Sequence, residues 1–74
     1  MSRSDAQILY DNIYRICKAR KLKLTQVEKK TGYHTGHLSE MVRRDYRVTV
    51  EAIRYYAQAL EVPMKKLMEG MFED

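Results

Sequence analysis

Apolar residues recur along this chain at spacings of three and four, the period of helices with one buried face. Ala6, Leu9, Ile13, Ile16 and Cys17 form one such stripe. Ser4 precedes it and Gln7 follows three residues later, the arrangement of a capping box. A first helix is therefore expected from Ser4 to about Arg20. A second, short helix is expected between Leu24 and Thr31. Thr25 and Glu28 also fit a capping box, so its start shifts with the cap chosen. Gly32 ends it, because glycine takes a positive φ at little cost. A third helix is expected from about Thr35 to Arg43. The fourth, capped by Thr49, is expected to bury Val50, Ile53, Tyr56, Ala57 and Leu60. Pro63 stops it and suits the first position of a fifth. That last helix carries Met64, Leu67 and Met68, with Met71 and Phe72 just beyond. The pattern predicts an all-α fold, a compact bundle of five short helices.

The third helix carries the narrowest stripe. Leu38 and Met41 are its apolar points, three residues apart. Around them stand Thr35, Gly36, Ser39, Glu40 and Arg43, small or polar. A helix held by one stripe across its neighbour presents the rest of its circumference outward. With the second helix and the turn at Gly32 it reads as a helix-turn-helix, the unit that offers a recognition helix to the major groove.

Length changes the picture little: 74 residues predict one small domain over 1–74. Its lone Pro and three Gly supply too few turns for an all-β fold. Cys17 is the only cysteine, so no intrachain disulfide can form and a reducing compartment is the simplest reading. No apolar run approaches the roughly 20 residues that span a bilayer, and no secretory leader is visible. A cytoplasmic protein without membrane contact is expected. Charge changes the picture more. From Asn12 to Val50 ten Lys or Arg face three acids, so the middle carries +7 between mildly acidic ends. A basic block of this kind suits a polyanion partner; an ordinary solvated surface is the bland alternative.

The residues from about Leu9 to Met68 resemble, without gaps, the lambda-repressor-like (Xre-type) helix-turn-helix DNA-binding domains. The resemblance is carried by Leu38, Ser39, Glu40 and Met41, an apolar-Ser-x-apolar core, and by the stretch TVEAIRYYAQALEVPMKKL. Four positions depart from the family pattern. Leu24 stands where a phosphate-contacting Gln is frequent. Glu28 stands where Ala lets two helices approach, and is expected to snorkel outward or open the crossing. Arg44 replaces a frequent Gly. Cys17 and Val42 replace an Arg–Glu pair. Losing both ions together can be neutral or better, whereas losing one strands the other. An apolar contact between Cys17 and Val42 is expected.

The resemblance implies which side chains meet DNA. Thr35 and Gly36 stand where family members touch base edges, and His37 and Glu40 join them as candidate base contacts. Thr can bond a base or pack on a thymine methyl, and Glu can accept from cytosine N4. Glu40 can instead pair with Arg43 or Arg44 at i+3 and i+4, and that pairing is the expected role. Lys23, His34, Ser39, Arg43, Arg44 and Arg47 are the candidate phosphate contacts. Tyr46 is a further candidate, in the loop that follows. His34 and His37 alone make an incomplete metal site, so no metal is expected. Tyr10 and Tyr14 read as packing at the edge of the core rather than as a stacking platform for single strands.

No catalytic set, cofactor motif or small-molecule site is visible, so the chain is not expected to be an enzyme. Two classes remain. One is a sequence-specific regulator of double-stranded DNA, a repressor or autoregulator. The other is a protein-interaction module on the same scaffold. For the regulator, one recognition helix reads too few base pairs. A homodimer on a palindromic operator is expected, joined through Met68, Met71 and Phe72, which have little further chain to cover them.

Overall fold

The computed structural model describes residues 3–72. Five helices follow one another: α1 (Asp5–Arg20), α2 (Leu24–Thr31), α3 (His37–Arg44), α4 (Val50–Leu60) and α5 (Met64–Met68). Among the described residues there is no strand. The protein is all-α, as its periodicity predicts.

The helix starts show how far local chemistry reaches. Ser4 Oγ accepts the Gln7 N–H at 3.1 Å, so the expected N-cap of α1 is present. The reciprocal arm is not: the Gln7 amide donates to Asp11 Oδ1, one turn on. At α2 the expectation for Thr25 and Glu28 fails. The N-cap is Lys23, two residues before Thr25, so the helix spans the expected Leu24–Thr31, and the Gln26 side chain accepts the Lys23 N–H at 3.1 Å. Thr25 lies inside the first turn and Glu28 is used elsewhere. Gly32 ends α2 at φ 91°. Thr49 Oγ1 accepts the Ala52 N–H and caps α4. Pro63 sits at the N-cap of α5, one position before the one expected.

One core gathers the apolar stripes. Leu9 and Ile13 of α1, Leu38 of α3, Ile53, Tyr56 and Leu60 of α4 and Leu67 of α5 are fully enclosed. Helix α2 lies mainly on α4, while α1 packs against α3 and α5. Val50 departs from expectation, with 62% of its surface exposed. It is the first residue of α4 and falls at the margin of the stripe. Val48, just before the cap, is buried instead, where a hydrophobic staple puts the residue preceding an N-cap. Cys17 is buried, but Val42 borders a groove with Gln7 and Tyr10, about two turns from Cys17 along α1. Val42 is half-buried and packs against the core that contains Cys17. Tyr10 and Tyr14 stack at 6.2 Å at the core edge, Tyr10 half-buried and Tyr14 exposed.

Among the described residues, two polar side chains are buried with these apolar ones, Asn12 and Glu28. Asn12 Nδ2 donates to the Leu67 carbonyl at 2.9 Å and the Glu69 carbonyl at 3.0 Å. Its Oδ1 accepts from Arg15. The last carbonyls of a helix lack intrahelical partners, and at α5 a side chain from α1 supplies them. Met71 is held in the same corner, 5% exposed. The seam expected from Met68, Met71 and Phe72 is therefore corrected at Met71: the turn after α5 folds it into the domain's own core. Met68 is half-buried against that core, and Phe72 remains 55% exposed.

Candidate nucleic-acid interface

The turn between α2 and α3 is built by short, local bonds. Thr31 Oγ1 donates to the Glu28 carbonyl at 2.6 Å and accepts the Tyr33 N–H at 3.1 Å. Gly32 and Gly36 both take the left-handed region, at φ 91° and 92°. The second glycine delays the helix. Helix α3 starts at His37, two residues later than the spacing suggested, and runs to Arg44. Thr35 and Gly36 thus sit in the exposed turn ahead of the helix.

Glu28 sits behind that turn and does not snorkel out. It is 1% exposed; Oε1 accepts the Gly36 N–H and Oε2 the Leu38 N–H, each at 2.9 Å. A carboxylate favours a helix N-terminus because unpaired N–H groups and the positive dipole end meet there. This satisfies the buried charge and fastens α2 to α3.

Above Glu28 lies an aromatic stack. Tyr33 lies parallel to the His37 ring at 3.9 Å between centroids, and Tyr56 packs 5.8 Å from Tyr33. His37 Nδ1 and the Tyr56 hydroxyl are hydrogen-bonded at 2.8 Å. Burial, with a smaller push from His34, holds His37 below the usual histidine range against the pull of Glu28 and Glu40. Burial, with the nearby Glu28 and Tyr33, drives the Tyr56 phenol upward, so it stays protonated. His37 is therefore a half-buried, neutral imidazole with one nitrogen committed inward. The other nitrogen is the one a base or phosphate could meet.

The remaining candidates divide into two groups. Beside the start of α3, exposed His34 lies edge-on to His37, and its Nε2 is 3.7 Å from Glu40 Oε2. The pairing of Glu40 with Arg43 or Arg44 expected from spacing is thus corrected: its close basic neighbour is His34. His34 sits in the turn, across the first turn of the helix from Glu40. Among the described residues, no three His, Cys, Asp or Glu gather closely enough to hold a metal ion. The two imidazoles are aromatic neighbours instead.

Farther along, Ser39 and Arg43 are exposed and line the groove shared with Gln7, Tyr10 and Val42. Arg44 reaches the Tyr46 hydroxyl at 3.4 Å, and Arg47 follows in the exposed loop. Lys23 is exposed at the N-terminus of α2. Leu38 and Met41 are buried, so α3 is attached by one face and its Ser39–Arg43 side is free of the core. Sequence reasoning missed Glu28, Tyr33 and Tyr56 as the parts that hold this surface. The only signal was an acid where a small residue was expected.

A family model for the Cro/C1-type helix-turn-helix DNA-binding domain matches residues 12–72. No curated protein and no solved structure was found to match the chain. The match spans the second half of α1 and all of α2, the turn, α3, α4 and α5. With a short helix, a glycine turn and a second helix free on its outer side, the chain belongs to the Cro/C1-type helix-turn-helix DNA-binding domains.

Proposed function

We infer that this protein is a sequence-specific regulator of double-stranded DNA, a repressor or autoregulator, that inserts α3 into the major groove. The carrying observation is the one-sided attachment of α3. Leu38 and Met41 are in the core while Ser39 and Arg43 face outward, flanked by Thr35 and Gly36. In this reading Thr35, Gly36 and His37 meet base edges, and Glu40 stands beside them next to His34. Lys23, His34, Ser39, Arg43, Arg44 and Arg47 meet phosphates. Selection of bound sites from a random duplex pool, followed by a salt titration on the selected site, tests it. A recurring site and a log–log slope equivalent to several released counterions are expected. Binding without site preference and with a flat salt slope would point to the protein-interaction alternative.

The working unit is a homodimer on a palindrome, with half-sites about 34 Å apart. What supports this is a face joining the C-terminal turn to the α3–α4 loop. Exposed Phe72 borders a cleft of about 550 Å³ with Asp5, Asp45, Tyr46, Arg47 and Val48. Phe72 is held there at φ 59°, and its N–H donates to Asp5 Oδ1. That conformation is rare for a bulky side chain. With Met71 inside the core, the seam rests on Phe72 and Tyr46, with Met68 at its edge. Phe72→Ser is expected to abolish cooperative binding to the full palindrome while a single half-site binds as before. Undiminished cooperativity would remove this seam.

A further inference from the structure

We propose that Glu28 is a positioning residue for DNA recognition, clamping the first turn of α3 so that Thr35, Gly36 and His37 are offered in one pose. This rests on the DNA-reading role above and adds a residue that never touches DNA. Three observations carry it. First, the carboxylate spans the turn, with one oxygen on the Gly36 N–H and the other on the Leu38 N–H, each at 2.9 Å. The two donors flank His37, so the candidate reading residue sits between two fixed points. Second, the turn's other bonds, Thr31 with Tyr33 and His37 with Tyr56, do not reach the Gly36 and Leu38 amides. Neither Gly32 nor Gly36 has any heavy atom within 4 Å of where a Cβ would stand. Both are glycines at positive φ, the most permissive backbone there is. Third, among the described residues no cationic side chain lies within ion-pair distance of Glu28; the close acid–base neighbours are Arg3 with Asp11 and His34 with Glu40. Glu28 is thus balanced by backbone donors of the helix it holds, and not by a cation that could compete for it.

A carboxylate in that place also fills the anion-binding end of α3. A phosphate cannot use those amides. Side chains must make the approach, which ties the orientation of the helix to the clamp.

The test compares the full-length wild type with Glu28→Gln and Glu28→Ala, at a temperature where circular dichroism shows each folded. Gln keeps the shape but turns an amide NH2 toward a helix N–H; Ala removes the clamp. The readout is the ratio of affinities for the selected site and for a scrambled duplex. Partial unfolding lowers both affinities equally and leaves the ratio unchanged. Loss of positioning lowers the ratio, by tenfold or more, while scrambled-duplex affinity changes less than twofold. An unchanged ratio overturns the proposal. A wild type that prefers no site removes the DNA-reading role and the proposal together. If neither variant folds, hydrogen exchange in the free wild type decides. Gly36 and Leu38 lie where helix amides lack intrahelical partners. Slowing of tenfold or more relative to an unstructured amide is expected there, and exchange at the unstructured rate overturns the clamp.

Discussion

Asn12→Ala tests the packing that carries the C-terminal turn. In the wild type the Asn12 amide supplies two hydrogen bonds to the Leu67 and Glu69 carbonyls. Each such bond contributes about 1 kcal/mol net, and a buried carbonyl left unpaired costs somewhat more. Glu69 is exposed, so water can replace its donor in part, whereas Leu67 is enclosed. The expected loss is about 2–3 kcal/mol. A domain of this length has roughly 4–11 kcal/mol in total, so the fold should survive. At about 4–8 °C per kcal/mol, Tm should fall by roughly 8–24 °C. Urea titration followed by circular dichroism measures the loss. Hydrogen exchange of the Met71 amide, bonded to the Met68 carbonyl at 2.9 Å, shows whether the C-terminal turn opens first. Asn12→Leu is the control, since it keeps volume but not the donors. If Asn12→Ala costs less than about 0.5 kcal/mol, or if Leu restores full stability, the carbonyl-bridging account fails.

Other outcomes follow from the same geometry. Arg43→Ala and Arg47→Ala should each weaken binding to all duplexes alike and flatten the salt slope by about one unit, read by fluorescence titration at several salt concentrations. Glu40→Gln, which removes an acid paired only with exposed His34, should tighten binding to every duplex. A change confined to one base pair, about 1–3 kcal/mol in a site-selection comparison, would instead show that Glu40 reads cytosine. Cys17, buried and with its thiol pushed up by burial against the pull of Arg20, should react slowly with a thiol reagent until denaturant is added. His37 titrates below its unfolded value of 6.5, so the unfolded chain binds more protons between the two values. Stability should therefore fall as pH drops through 6.5 and level off below the folded value. The urea midpoint between pH 7.5 and 5.5 should depend on pH less in His37→Gln.

The positions of the helices were legible in the sequence because their causes are local. An apolar residue every three or four positions, Ser4 and Thr49 before two of the helices and Gly32 after a third act within a turn of themselves. The division of Tyr55 and Tyr56 into an exposed and an enclosed ring follows from the same period. So does the single stripe of Leu38 and Met41 that leaves the rest of α3 outward. What holds the reading surface was not legible. Glu28 looks like a misplaced acid until α3 brings the Gly36 and Leu38 amides to it. Asn12 looks like a polar interruption of a buried stripe until α5 arrives 55 residues later. Spacing favoured Arg43 and Arg44 as partners for Glu40, but the fold turned it to His34; Met71 looked uncovered until the last turn folded inward. For Glu28, Asn12 and Met71 the deciding energy is a buried polar or apolar group finding a partner on another element. Periodicity within one helix carries no information about that partner; only the packed structure supplies it.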